Sequence, residues 1–152
     1  MIQNPTLDAL IAFYETLGVE DVAHFSRYYA SDACFKDPFN EVRGLPAIER
    51  IFTHMFRQVD APRFVIGERV VDAGGVVLIW TFHFRTKRWG RSVEQSIRGV
   101  SHLKFDAAGM VVWHRDYWDA AEEIYAKLPG IGCVMRGLKR TLTARGPSAL
   151  CL

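Results

Sequence analysis

The sequence predicts an α+β domain: a curved antiparallel sheet, four long strands plus a short one, wrapped on N-terminal helices. Three observations carry this. Apolar residues recur at helical spacing before Pro62. Long alternating runs replace them between Phe64 and Trp118. The turns between those runs are short, and each contains glycine, so neighbouring strands must be antiparallel. A chain of 152 residues, 49% hydrophobic and 24% charged, can bury a sizeable core in one domain, which excludes a disordered protein.

Asn4-Pro5 opens the first helix as a cap plus a first-turn proline, and Leu7, Leu10, Ile11 and Tyr14 follow on one stripe. A second short helix is predicted from Asp21 to Tyr29, with Val22, Phe25 and Tyr29 on one side. The piece Ala33 to Pro38 reads as extended. Pro38 disfavours a helical Asp37, which therefore belongs at a strand end or turn. A third helix begins at Gly44-Leu45-Pro46, with Ile48, Ile51, Phe52, Met55 and Phe56 as its apolar stripe.

Strands are predicted over 64–71, 76–87, 93–105 and 110–118, joined as a meander. Strands of this length twist and curl. With helices closing one face, the result is a cone with an internal cavity. Asp119-Ala-Ala-Glu122 resembles a capping box opening a further helix, with Ala121, Ile124, Tyr125 and Leu128 inward. Pro129-Gly130 ends it. A last segment holds Ile131, Val134, Leu138 and Leu142 with basic residues on its other side. Residues 1–128 thus read as the domain and 129–152 as its basic C-terminal helical extension.

Charge narrows the partners. The net charge of +2 is no polyanion-binding signature. After Glu123 there are five basic residues (Lys127, Arg136, Lys139, Arg140, Arg145) and no acids, leaving −3 on residues 1–123. Such a cluster reads as a solvated helix face, so neither nucleic acid nor membrane is an expected partner. The longest run without Asp, Glu, Lys or Arg, Ala73 to Phe84, is twelve residues, too short for a span. Cys34, Cys133 and Cys151 are odd in number and widely spaced, as free thiols in a reducing cytoplasm would be. The five histidines show no metal-ligand spacing, and no phosphate-binding glycine loop or nucleophile elbow occurs, so neither metal nor cofactor is expected.

Strand alternation selects the interior residues. Val112, His114, Asp116 and Trp118 share one face, and Trp113, Arg115 and Tyr117 the other. On the preceding strand, Ile97, Gly99, Ser101 and Leu103 form the apolar face, against Arg98, His102 and Lys104. The cavity is therefore expected to have aromatic walls (Trp80, Phe82, Phe52, Trp118) and few polar groups: Tyr14, Asp37, Ser101, His114 and Asp116. A carboxylate in a poorly hydrated pocket becomes a stronger base, and a tyrosine hydroxyl stabilises a developing enolate oxygen. Each residue also has a structural reading. Asp37 before Pro38 fits a turn, and Tyr14 fits a core stripe. Asp116 fits a pair with His114, Arg98 or Arg115. The outer face, mixing Trp113, Arg115 and Tyr117 with Arg98 and His102, fits a homodimer interface.

Three stretches resemble the nuclear transport factor 2-like superfamily, in its SnoaL-like and ketosteroid isomerase-related branch. They are Leu10-Ile-Ala-Phe-Tyr14; Tyr28-Tyr-Ala-Ser-Asp-Ala-Cys-Phe-Lys-Asp-Pro-Phe39 followed by Gly44; and Leu103-Lys-Phe-Asp-Ala-Ala-Gly109 followed by Asp116-Tyr-Trp118. The resemblance implies Asp37 as general base, Tyr14 as oxyanion donor and Trp118 as a pocket wall. Asp116 resembles the last-strand acid/base aspartate of SnoaL-type cyclases. Two positions depart from the isomerase: Ser101 stands where it has a protonated aspartic acid, and Phe52 where it has a tyrosine. The resemblance implies a cofactor-independent isomerase, cyclase or dehydratase acting on a small apolar carbonyl compound. A non-catalytic ligand-binding or dimeric module shares the scaffold. Hydrolysis through an Asp–Arg–Asp cluster ranks third, because Arg98 and Arg115 have outward parity.

Overall fold

A computed structural model describes residues 5–88, 91–123 and 131–142. The chain divides into two units, Met1–Trp118 and Asp119–Leu152.

The first unit opens with α1 (Pro5–Glu15), whose Leu7, Leu10, Phe13 and Tyr14 are buried. A 3-10 helix (Val19–Arg27) follows, starting two residues before and ending two short of the helix predicted from Asp21 to Tyr29. Asp21 fixes its start by accepting the Gly18 N–H at 3.0 Å, and Val22 and Phe25 face the core. Tyr29 leaves this helix and begins β1 (Tyr29–Lys36), which hairpins onto the three-residue β2 (Glu41–Arg43). Gly44 then turns the chain at φ +95°, a value that favours glycine, and Pro46 sits in the first turn of α2 (Leu45–Gln58). The α2 stripe packs as its spacing requires, with Ile48 and Phe52 buried and Ile51, Met55 and Phe56 against the core.

The long strands are β3 (Asp60–Asp72), β4 (Gly75–Arg88) and β5 (Arg91–Phe105), and the last is β6 (Val111–Tyr117). Their order, β2-β1-β6-β5-β4-β3, makes one six-stranded curved sheet that does not close. β3 starts four residues before the predicted Phe64. Pro62 is tolerated because β3 is an edge strand and the register breaks between Asp60 and Arg63. The predicted meander holds from β3 to β6. Beyond it, β6 pairs in parallel with β1, with Phe35 beside His114. Two short strands therefore extend the sheet where one was expected.

Two local features aim the interior side chains. The β5–β6 register shifts between Lys104 and Phe105, so Val111 pairs with Phe105 while Trp113 pairs with Lys104. Val112 is the extra residue of this bulge, and Val111, fully buried, takes the inner place that simple alternation gives to Val112. From Trp113 onward the predicted parity stands. The second feature is Gly99. A Cβ there would lie 2.3 Å from the Trp80 ring, so only glycine lets the indole lie across β5.

In the second unit, Asp119 caps the short α3 (Ala120–Glu123), its carboxylate accepting the Ala121 and Glu122 N–H groups at 2.9 and 3.0 Å. Ala121 lies in this turn, while Ile124, Tyr125, Leu128 and Pro129-Gly130 lie outside the described residues. The amphipathic α4 (Ile131–Leu142) follows.

Candidate active site

A chain of hydrogen bonds runs along the inner face of the sheet, supplied by α1, β1, β4, β5 and β6. The Tyr14 and Tyr29 hydroxyls are bonded to each other. Tyr29 reaches His114 Nδ1 at 2.6 Å, and Tyr14 stands 3.4 Å from the same nitrogen. On the other side of the ring, His114 Nε2 lies 2.7 Å from Asp116 Oδ1. Ser101 donates to that oxygen at 2.5 Å, and Trp80 Nε1–H donates to Ser101 at 2.8 Å. Phe35, Phe52, Phe25 and Phe64 surround these groups.

One set of protons satisfies the whole chain. Tyr14 donates to Tyr29, Tyr29 to His114 Nδ1, and His114 Nε2–H and Ser101 O–H to Asp116 Oδ1. The imidazole is then neutral and the carboxylate ionised. This tautomer is assigned from the pattern of the bonds. Burial pushes the Tyr14 hydroxyl well above the ordinary tyrosine range, with the neighbouring Tyr29 and the Asp116 charge adding to it. Tyr29 is also raised, chiefly by burial, although its bond to Tyr14 pulls the other way. Both tyrosines therefore remain proton donors far into alkali.

Asp116 is held on one side only. Its Oδ1 takes two donors, whereas Oδ2 accepts no hydrogen bond among the described residues. The side chain is 16% exposed, against 2% for His114. The network thus ends in a carboxylate oxygen that no hydrogen-bond donor among the described residues occupies. Tyr14, Phe64, Ile66, Leu78, Trp80, Ser101, Leu103 and His114 line a small hollow, and Asp116 is not among its walls. The volume of the hollow is about 10 Å³, room for about one water molecule. Its walls are almost wholly apolar, because the polar atoms bond one another.

Of the residues singled out from the sequence, Tyr14, Trp80, Ser101, His114 and Asp116 come together here. Asp37 does not join them. Its Oδ1 accepts the backbone N–H groups of Phe39 and Asn40 at 2.7 and 2.6 Å, and the Asn40 side chain binds both its oxygens. Phe52 touches Tyr14 from the core without lining the hollow. Trp118 packs edge-on against Phe39, its ring centre 5.3 Å away. Sequence reasoning passed over Tyr29, assigned to a helix face, and Phe64 and Ile66. Alternation gives no signal for Tyr29, because Ser31 of the same parity is exposed and the β1 register breaks between Tyr29 and Cys34. Among the described residues no group of three His, Cys, Asp or Glu side chains could hold a metal.

The model of the SnoaL-like domain matches residues 10–114, from within α1 to His114 itself. The chain belongs to the SnoaL-like family. Solved structures agree on the fold of this SnoaL-like chain. A Shewanella denitrificans protein named as a SnoaL-like polyketide cyclase superposes with a TM-score of 0.67 at 20% identity, covering 82% of this chain and all of its own. An NTF2-like protein of unknown function from Burkholderia pseudomallei gives 0.69 at 16% identity, covering 80% of this chain and 96% of its own. A Catenulispora acidiphila protein with a ketosteroid isomerase-like fold, solved with trimethylamine, gives 0.66 at 14% identity over 80% of this chain and 90% of its own. Identities this low speak for the fold alone. No curated protein matches the chain.

Proposed function

We propose that this SnoaL-like protein is a cofactor-independent isomerase, cyclase or dehydratase that moves a proton beside the carbonyl of a small apolar compound. The observation that carries the reading is the one-sided anchoring of Asp116. Its Oδ2 takes the proton, while His114 and Ser101 keep Oδ1 in place. Tyr14 and Tyr29 fix the imidazole tautomer through Nδ1 and remain neutral donors at any physiological pH. The substrate approaches at the exposed side of Asp116, and a reacting group larger than water enters the hollow only if a wall such as half-buried Phe64 or Ile66 swings aside.

The size of the hollow and its fully satisfied polar groups favour one second reading, a non-catalytic module of the same fold. In that reading the outer sheet face, where Arg115 stacks on the 46%-exposed Tyr117 and Lys104 on Trp113, makes a homodimer.

Exchange of the α-protons of 2-tetralone in D₂O, followed by proton NMR, separates the two readings. The wild-type chain accelerates exchange, Asp116→Asn loses it by about 100-fold or more, and Asp37→Asn stays within about threefold of wild type. Binding of the ketone without accelerated exchange leaves the binding module. Equal rates in Asp116→Asn and wild type overturn the assignment of the base.

A further inference from the structure

The C-terminal helix α4 carries a feature that acid/base chemistry does not use. Val134, Leu138 and Leu142 recur every four residues, so they share one side within an arc of about 80°. They are 69%, 53% and 79% exposed, although the sequence pattern would bury them. Arg136 and Arg140 lie about 160° from Leu138 around the helix. Lys139 sits at the flank, 3.9 Å from Glu122 of the same unit. Beyond Glu123 the sequence holds five basic residues and no acid, whereas residues 1–123 carry −3.

We infer that α4 docks the protein in the plane of an anionic phospholipid surface, with Val134, Leu138 and Leu142 dipping into the headgroup boundary. The helix has twelve residues, about 18 Å, and no helix of the described residues is long and apolar enough to cross a bilayer. An in-plane helix needs an apolar stripe and basic residues together, and α4 offers both. The arginine heads lie about one helix diameter, roughly 10 Å, above the stripe. That is close to one screening length at physiological salt, so the surface potential still reaches them. Nucleic acid would engage the basic residues and leave the stripe in water, which is why lipid is the better complement.

Flotation of the full chain with vesicles tests this. Vesicles of phosphatidylcholine and phosphatidylglycerol in equal parts carry the protein up at 50 mM salt, and pure phosphatidylcholine vesicles do not. Raising salt to 500 mM weakens binding several-fold, Arg136→Gln with Arg140→Gln weakens it roughly tenfold, and Leu138→Asp abolishes it. Far-UV circular dichroism shows each variant folded, since all three positions are exposed. Failure to float with anionic vesicles overturns the proposal, as does binding that survives Leu138→Asp. Sedimentation showing a dimer that Leu138→Asp dissociates, with vesicles ignored, assigns the stripe to a second copy and overturns it too.

Discussion

Asp116 and Asp37 follow directly on a pair of registered neighbours, Arg115 of β6 and Lys36 of β1, yet their carboxylates meet different ends. Asp37 stands where β1 stops. The backbone N–H groups of Phe39 and Asn40 have left the ladder and need acceptors, and the nearby carboxylate takes them. Asp116 is still inside β6, paired with Ser101 across the sheet, so it must find side-chain donors. It finds two, on a single oxygen. A turn consumes a carboxylate, whereas a strand interior leaves part of it available. Residue type alone does not separate the two.

The largest way to break this contrast is to remove the ring that anchors Asp116. His114 is 2% exposed and bonds at both nitrogens. His114→Leu keeps the volume but removes the acceptor of the Tyr29 hydroxyl and one of the two donors to Asp116 Oδ1. We expect about 3 kcal/mol of lost stability by denaturant unfolding. A loss below about 1 kcal/mol would mean that the chain of bonds holds little of the fold together.

Much of this was legible in the sequence, and the limits are physical. Period-3.6 stripes located α1 and α2, and period-2 alternation put Ser101, His114 and Asp116 inside and His102 outside. Both signals are local and repeat several times. The β1–β6 pairing joins residues about eighty positions apart, with no turn between them to announce it. The bulge at Val112 shifts one residue and leaves no compositional mark. Tyr29 continues the apolar side of the predicted helix, and it is packing that hands it to the start of β1. Asp37 had its turn chemistry visible in Asp-Pro-Phe-Asn, but the family resemblance drew it towards catalysis.

Alkali tests the same network from the tyrosine end. The folded tyrosines Tyr14 and Tyr29 bind their protons more tightly than in the unfolded chain. Their contribution is therefore fully present below about pH 10, the unfolded value, and falls as pH rises above it. The slope approaches about 1.4 kcal/mol per pH unit for each tyrosine while it stays protonated in the fold. Absorbance at 295 nm at pH 12 checks it: Tyr14 and Tyr29 ionise only when denaturant is added. Their ionisation in the folded protein would place Tyr14 and Tyr29 in water.

The smallest effect sharpens the comparison from the Asp37 side. Asp37→Asn keeps an Oδ1 for the Phe39 and Asn40 N–H groups and gives up only the second oxygen, which the Asn40 side chain holds at 3.0 Å. Its stability should change by less than about 0.5 kcal/mol. Asp37→Ala removes the acceptor altogether. Two backbone donors are left at a half-exposed turn where water replaces part of the bonding, and the loss should be about 1–1.5 kcal/mol. The difference between the two variants, read from urea midpoints at constant slope, isolates the work of one oxygen in a turn. If Asp37→Asn costs as much as Asp37→Ala, the charge matters rather than the acceptor, and the two aspartates are more alike than their surroundings make them.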